Sequence, residues 1–206
     1  MEMYKVFEQA IPEETLEFLR AWTLETKELC RPHQGKSKPN GSGVYWRGLD
    51  MASQLPLATA AQNQKLFEVY TSRWMYDIVK QEIPTPHLFN DQIVVKLPGE
   101  QFDFSPHRDN QFGPLPNDPN LLTQNFTLVL DDFTTENGAL QVRQSGKWHQ
   151  LLPKAGDIIM IEGNTIHMSS PNKSNKPRRV YICHYTDRPV GKGFQQGFYH
   201  QPFHYD

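Results

Sequence analysis

The sequence predicts a mainly β fold with flanking helices: an antiparallel sandwich or jelly roll braced by N-terminal α-helices. Three observations lead there. Helical periodicity is confined to the first 90 residues, and beyond them the apolar pattern shortens to strand-length runs separated by turn residues. Sixteen prolines and 12% aromatic residues in 206 suit a loop-rich β fold better than a helical bundle. Neither βαβ alternation nor a glycine-rich phosphate loop is present to support a nucleotide-binding α/β fold.

The elements follow in order. Pro12, two glutamates and Leu16, Leu19 and Leu24 at roughly helical spacing predict one amphipathic helix after residue 12. Residues 31–43, "RPHQGKSKPNGSG", cannot bury themselves and form a loop that could serve as a lid. A second helix is expected over 62–82, with Leu66, Phe67, Tyr70, Trp74 and Ile78 on one stripe and "IPTP" ending it. Six strands are then read at "QIVVKL", "FDFSPH", "FTLVLDD", "ALQVR", "GDIIMIE" and "RVYICHY". "ENGAL" at 136–140 reads as a turn into a strand, with Asn137 and Gly138 supplying positive φ. The aromatic tail 188–206 is expected to pack on the outer sheet or to close over a site. This gives a single domain over 1–206, with a helical part to about residue 90, a core over about 91–187 and the tail.

Charge and composition narrow the function. Twenty-one basic against 23 acidic residues, a formal net charge of −2, supply no field for nucleic acid or anionic lipid. No apolar stretch approaches the about 20 residues that span a bilayer. The two cysteines, Cys30 and Cys183, suit reduced thiols in the cytoplasm better than a disulfide framework. A small-molecule substrate, no nucleic acid, no membrane, and a monomer or homodimer are therefore expected.

The chemistry is carried by "SPHRDN" at 105–110 and "GNTIHMSSPNKSNKPRR" at 163–179. In an extended segment, His107 and Asp109 project from one face while Arg108 points away. Joined by His167 from a later strand, they would form a two-histidine, one-carboxylate triad suited to non-haem Fe(II) with open coordination positions. Arg178 opens the next strand, and its neighbour Arg179 faces the other way, toward solvent or a surface pair. The remaining histidines read as structural, although His184 shares the Arg178 face of its strand. Arg47, in "YWRGLD", could anchor an acidic group in a pocket or form a surface ion pair.

Four ordered blocks, "HRDN", "DDFTTENGALQV", "AGDIIMIEGNTIHMSSPNKSNKPRR" and "VYICHY", resemble the phytanoyl-CoA dioxygenase branch of the Fe(II)/2-oxoglutarate oxygenases. The resemblance covers roughly residues 90 to 187. It implies a double-stranded β-helix of the cupin-like kind, iron held by His107, Asp109 and His167, and 2-oxoglutarate bound with Arg178 on its far carboxylate. Ser169 and Gln92 match family positions that touch the co-substrate, and Arg47 and His184 remain possible substrate-pocket residues. The chain departs from the family after "NGAL", where "RQSGKWH" replaces the usual "PGSH" turn, so substrate contacts do not carry over from that region.

The implied activity is O2-dependent hydroxylation of a small metabolite with release of succinate and CO2. Because the carboxylate ligand Asp109 is present, hydroxylation rather than halide transfer is the expected outcome. Desaturation or cyclisation of a natural-product intermediate, hydroxylation of a peptide or protein, and a metal-binding module without turnover are the alternatives.

Overall fold

The computed structural model describes residues 2–30, 44–46, 60–101, 103–111 and 120–189. The lid candidate 31–43, Arg47 and the tail from residue 190 lie outside the described residues. Helix α1 (Glu13–Cys30) begins directly after Pro12, with Glu13 and Glu14 in the first turn, where the helix dipole favours negative charge. Leu16, Leu19 and Trp22 form its buried stripe, whereas Leu24 is 37% exposed and lies off it.

The helix expected over 62–82 is two helices, α2 (Ala60–Thr71) and α3 (Arg73–Val79). Ser72 separates them: its backbone is extended, and its hydroxyl accepts the Met75 N–H at 3.3 Å as an N-cap. Leu66, Tyr70, Met75 and Val79 face the core, while Phe67 is 48% exposed.

Ten strands are described: β1 (Tyr4–Phe7), β2 (Val44–Trp46), β3 (His87–Lys96), β4 (Phe104–His107), β5 (Thr123–Val129), β6 (Leu140–Gln144), β7 (Lys147–Gln150), β8 (Ile158–Glu162), β9 (His167–Ser169) and β10 (Arg178–Thr186). They form a six-stranded sheet, β1-β8-β5-β10-β3-β2, and a four-stranded sheet, β4-β9-β6-β7, with antiparallel pairing throughout. The apolar run that the sequence carries toward His167 is broken, because β8 belongs to the large sheet and β9 to the small one.

Strand alternation divides the large sheet into two faces. Ile93, Val95, Phe126, Leu128, Ile158, Met160, Tyr181 and Cys183 join Leu16, Leu19 and Trp22 in the core beneath the helices. Val94, Val129, Ile159, Ile161, Val180 and Ile182 pack instead against Ala139 and Val142, between the two sheets. This is a jelly roll with helices covering the outer face of its larger sheet.

Two turns matter for the site. Ser145 (φ 49°) and Gly146 (φ 79°) make a two-residue hairpin joining β6 to β7, the mirror-image turn that matches strand twist. At "ENGAL" only Gly138 has positive φ (74°), not Asn137. Asn137 instead uses its amide, accepting the Thr134 N–H at 2.8 Å and donating to the Asp132 carbonyl at 2.7 Å. A Cβ at Gly138 would fall on the Ser170 carbonyl, so glycine there admits the chain just beyond β9.

Candidate metal centre

His107 ends β4, His167 begins β9, and the two are direct cross-strand partners. Their rings lie 4.3 Å apart between centroids. Each ring has Nδ1 against the carbonyl two residues before it, Ser105 at 2.7 Å for His107 and Thr165 at 3.0 Å for His167. That contact assigns the proton to Nδ1 and leaves the Nε2 lone pair for a metal.

Asp109 joins them by a route other than strand alternation. It is the first residue of a single 3-10 turn, Asp109–Gln111. The turn is pinned to the segment just ahead of β9. The Asn110 N–H donates to the Gly163 carbonyl at 3.1 Å, the Asn110 amide donates to Asn164 Oδ1 at 3.1 Å, and Arg108 Nε donates to the Asn164 carbonyl at 3.1 Å. The Thr123 hydroxyl closes on Asn110 from β5, and a Cβ at Gly163 would strike both of these side chains.

Asp109 Oδ1 lies 3.6 Å from His167 Nε2 and 4.0 Å from His107 Nε2, and one ligand atom from each of the three residues falls within 4.8 Å of the others. Burial pushes the Asp109 carboxyl up, yet the His184 ring, the His167 ring and the Asn125 amide outweigh it and hold the group well below the usual carboxylate range. Burial, followed by the neighbouring His167 ring, lowers the His107 pKa, which favours the neutral, metal-binding imidazole. Two imidazoles and one carboxylate on one side of a cavity are the donor set that suits Fe(II) with positions left open.

The same cavity reaches Arg178, Ser169 and Gln92. Arg178 is 3% exposed, and its Nε has no hydrogen-bond partner among the described residues. Its guanidinium sits 4.8 Å from the centre of the Phe133 ring. Burial lowers its pKa to about 10, opposed by Asp131, so it stays charged at neutral pH. A buried cation with an unused N–H, facing a cavity, fits a carboxylate. Arg179 is already engaged, in a two-pronged pair with Asp131 at 2.7 and 2.6 Å, and it is more buried than the surface pair expected for it.

Three further residues of the site escaped sequence reasoning. Lys96, the cross-strand partner of Arg178, is fully buried and donates to Ser169 Oγ at 2.8 Å and to the Ser169 and Ser170 carbonyls at 3.2 and 2.5 Å. Burial, and then the charge of Arg178, lowers its pKa to about 6. Asn125 and Thr127 line the cavity from β5. The available signal was polar residues at alternate positions of otherwise apolar strands, in "QIVVKL" and "TQNFTLV". His184, read as a possible pocket residue, is not among the cavity-lining residues; it lies behind Asp109, with Nε2 3.6 Å from Oδ2.

Residues 4–150 and 142–180 match the phytanoyl-CoA dioxygenase (PhyH) family. The dioxygenase andF of Emericella variicolor is 30% identical over 146 residues, 58% of this chain and 50% of that protein, so the chain spans about half the length of this curated relative. Among solved structures, the non-haem, alpha-ketoglutarate-dependent carbocyclase SnoK from nogalamycin biosynthesis is similar over 90% of this chain and 80% of its own, with 18% identity and a TM-score of 0.66. The epimerase SnoN in complex with Fe3+, alpha-ketoglutarate and nogalamycin RO is similar over 93% of this chain and 83% of its own, with 14% identity and a TM-score of 0.62. At these identities the structures share a fold, whereas the family match extends over most of the sequence. The chain belongs to the phytanoyl-CoA dioxygenase family.

Proposed function

We propose that the protein is an oxidoreductase that uses Fe(II), 2-oxoglutarate and O2 to hydroxylate a small-molecule substrate, with release of succinate and CO2. One observation carries this reading: a single cavity brings together the His107, Asp109 and His167 donor set and a buried guanidinium whose Nε has no partner among the described residues. Iron held there would supply the activation of O2 coupled to oxidative decarboxylation of 2-oxoglutarate.

The protein's part is binding, orientation and exclusion of water. His107 and His167 present Nε2, and Asp109 contributes the negative charge that lowers the net charge of the site. Arg178 takes the far carboxylate of the co-substrate, with the Ser169 hydroxyl and Gln92 in the same cavity. Val94, Phe104, Ile161, Val180 and Ile182 make an apolar lining that limits competing reactions with water. Among the described residues, no helix is long and apolar enough to cross a membrane. A cytoplasmic setting accords with the buried free thiol of Cys183.

The test is a screen of candidate metabolites for substrate-stimulated succinate release with Fe(II) and 2-oxoglutarate, followed by mass spectrometry of the product formed under labelled O2. One labelled oxygen gained is the expected result. Loss of two hydrogens would redirect the reading to desaturation or ring formation, and metal-independent turnover would overturn it.

A further inference from the structure

We propose that His184 and Asn125 form a clamp on the outer oxygen of Asp109, positioning this carboxylate so that its other oxygen faces the two histidines. The inference rests on the metal-dependent function proposed above. Its starting point is how differently the three ligands are held. His107 and His167 are fixed by strand pairing and by their Nδ1 contacts. Asp109 sits in a one-turn segment outside any strand, where nothing in the ladder sets the rotation of its carboxylate.

His184 and Asn125 supply what the ladder does not. They are direct cross-strand partners on β10 and β5, neighbouring strands inside the six-stranded sheet. Both reach the same atom: Asn125 Nδ2 donates to Asp109 Oδ2 at 3.1 Å, and His184 Nε2 lies 3.6 Å from it. At 3.6 Å the His184 contact is longer than a well-formed hydrogen bond, though its ring nitrogen is the group on that side of Oδ2. With Oδ2 engaged from the large sheet, Oδ1 is the oxygen that faces His107 and His167.

The Asn125 amide is itself oriented. The Thr127 hydroxyl donates to Asn125 Oδ1 at 2.7 Å, which leaves Nδ2 as the group turned to Asp109. Thr127, Asn125 and His184 thus tie a ligand carried on the small-sheet side to the rigid large sheet. Such outer partners of a metal ligand commonly contribute 10–100-fold in metal affinity. His184 is not among the cavity-lining residues, whereas Asn125 and Thr127 are, so metal binding without co-substrate is what separates this role from contact with co-substrate or substrate.

The experiment uses the full chain stripped of metal, with Co(II) as the probe. Its dissociation constant is measured by calorimetry, its ligand-field absorption is recorded, and the melting temperature of the metal-free protein is taken alongside. His184→Leu and Asn125→Leu should each weaken Co(II) binding by about 10–100-fold and alter the absorption bands. His184→Gln, which keeps a donor, should recover most of the affinity. A purely structural role would lower the melting temperature and leave the affinity and spectrum of the folded protein unchanged. Should His184→Leu not fold, His184→Gln and Thr127→Val decide: Thr127→Val leaves Asn125 in place without its anchor and should weaken Co(II) severalfold. Affinity and spectrum indistinguishable from the parent in Asn125→Leu and Thr127→Val overturn the clamp. Failure of the parent itself to bind Co(II) removes the metal centre, and the clamp with it.

Discussion

The two faces of the six-stranded sheet are built from the same strands and do different work. On the helix side, Ile93, Phe126, Leu128, Ile158, Met160 and Tyr181 close against α1 and its neighbours in an almost wholly apolar layer. On the cavity side, the alternate residues Gln92, Asn125, Thr127, Arg178 and His184 are polar, and all but Gln92 are buried. Burial of these groups costs free energy that apolar residues would not cost. Stability and chemistry are separated by strand parity: one residue of each pair holds the sheet to the helices while the next lies on the side of the site. Substitutions on the two faces should therefore move different observables.

The largest separation is expected at the triad. His107→Ala, Asp109→Ala and His167→Ala should each abolish turnover and metal binding, with the fold retained by circular dichroism. Asp109→Ala removes a carboxylate that His184, His167 and Asn125 hold ionised against the cost of burial, so its metal-free form should also lose stability at neutral pH. Full turnover in any of the three, with stoichiometric iron supplied, would remove that residue from the centre.

Next in size is Arg178. Its replacement by Ala removes a charge-assisted contact in a buried site, a loss on the order of 2–5 kcal/mol in 2-oxoglutarate binding. Binding isotherms of Arg178→Ala and Arg179→Ala check this directly. Arg179→Ala should break the pair with Asp131 and register mainly in stability. If Arg179→Ala instead has the greater effect on binding, the assignment of faces on β10 is wrong.

A helix-side counterpart is Leu128→Ala. Leu128 is fully buried beneath the helices, and its truncation should cost about 2–5 kcal/mol of stability by denaturant unfolding. Co-substrate and metal affinities of the folded variant should match the parent. A matching drop in affinity would show that the sheet transmits packing defects to the site.

The division between faces was legible where local pattern suffices and illegible where long-range pairing decides. Pro12 with Glu13 and Glu14 marked the start of α1, and the three donor residues and Arg178 stood out by type and order. The break at Ser72 was hidden because its hydroxyl acts as a cap inside an otherwise helical pattern. Strand β7 shows no burial alternation, all four residues being exposed, so no period marked it. Lys96 meets Ser169 and His184 meets Asp109 only through strand register, which single-strand periodicity does not encode. Arg108, predicted to point away from the site, is exposed and bonds the Asn164 carbonyl, helping to hold the turn that carries Asp109.

The smallest effect is expected at the polar pair that breaks the apolar pattern of the helix side. The Tyr181 hydroxyl donates to Asp91, both residues are fully buried, and the Tyr181 ring meets Trp22 edge-on with centroids 5.8 Å apart. Tyr181→Phe keeps the ring and its contact with α1 but removes one hydrogen bond to a carboxylate. The loss should be about 1.5–3 kcal/mol, which in a chain of this size lowers the melting temperature by roughly 3–12 °C. Tyr181 lies on β10 between Val180 and Ile182, which line the cavity, so this is the strictest test of whether parity insulates the site. Calorimetric titration of 2-oxoglutarate into metal-loaded Tyr181→Phe should match the parent. A tenfold weakening would mean that the Asp91 pair sets the position of β10 for both faces, and the separation between them would fail at that strand.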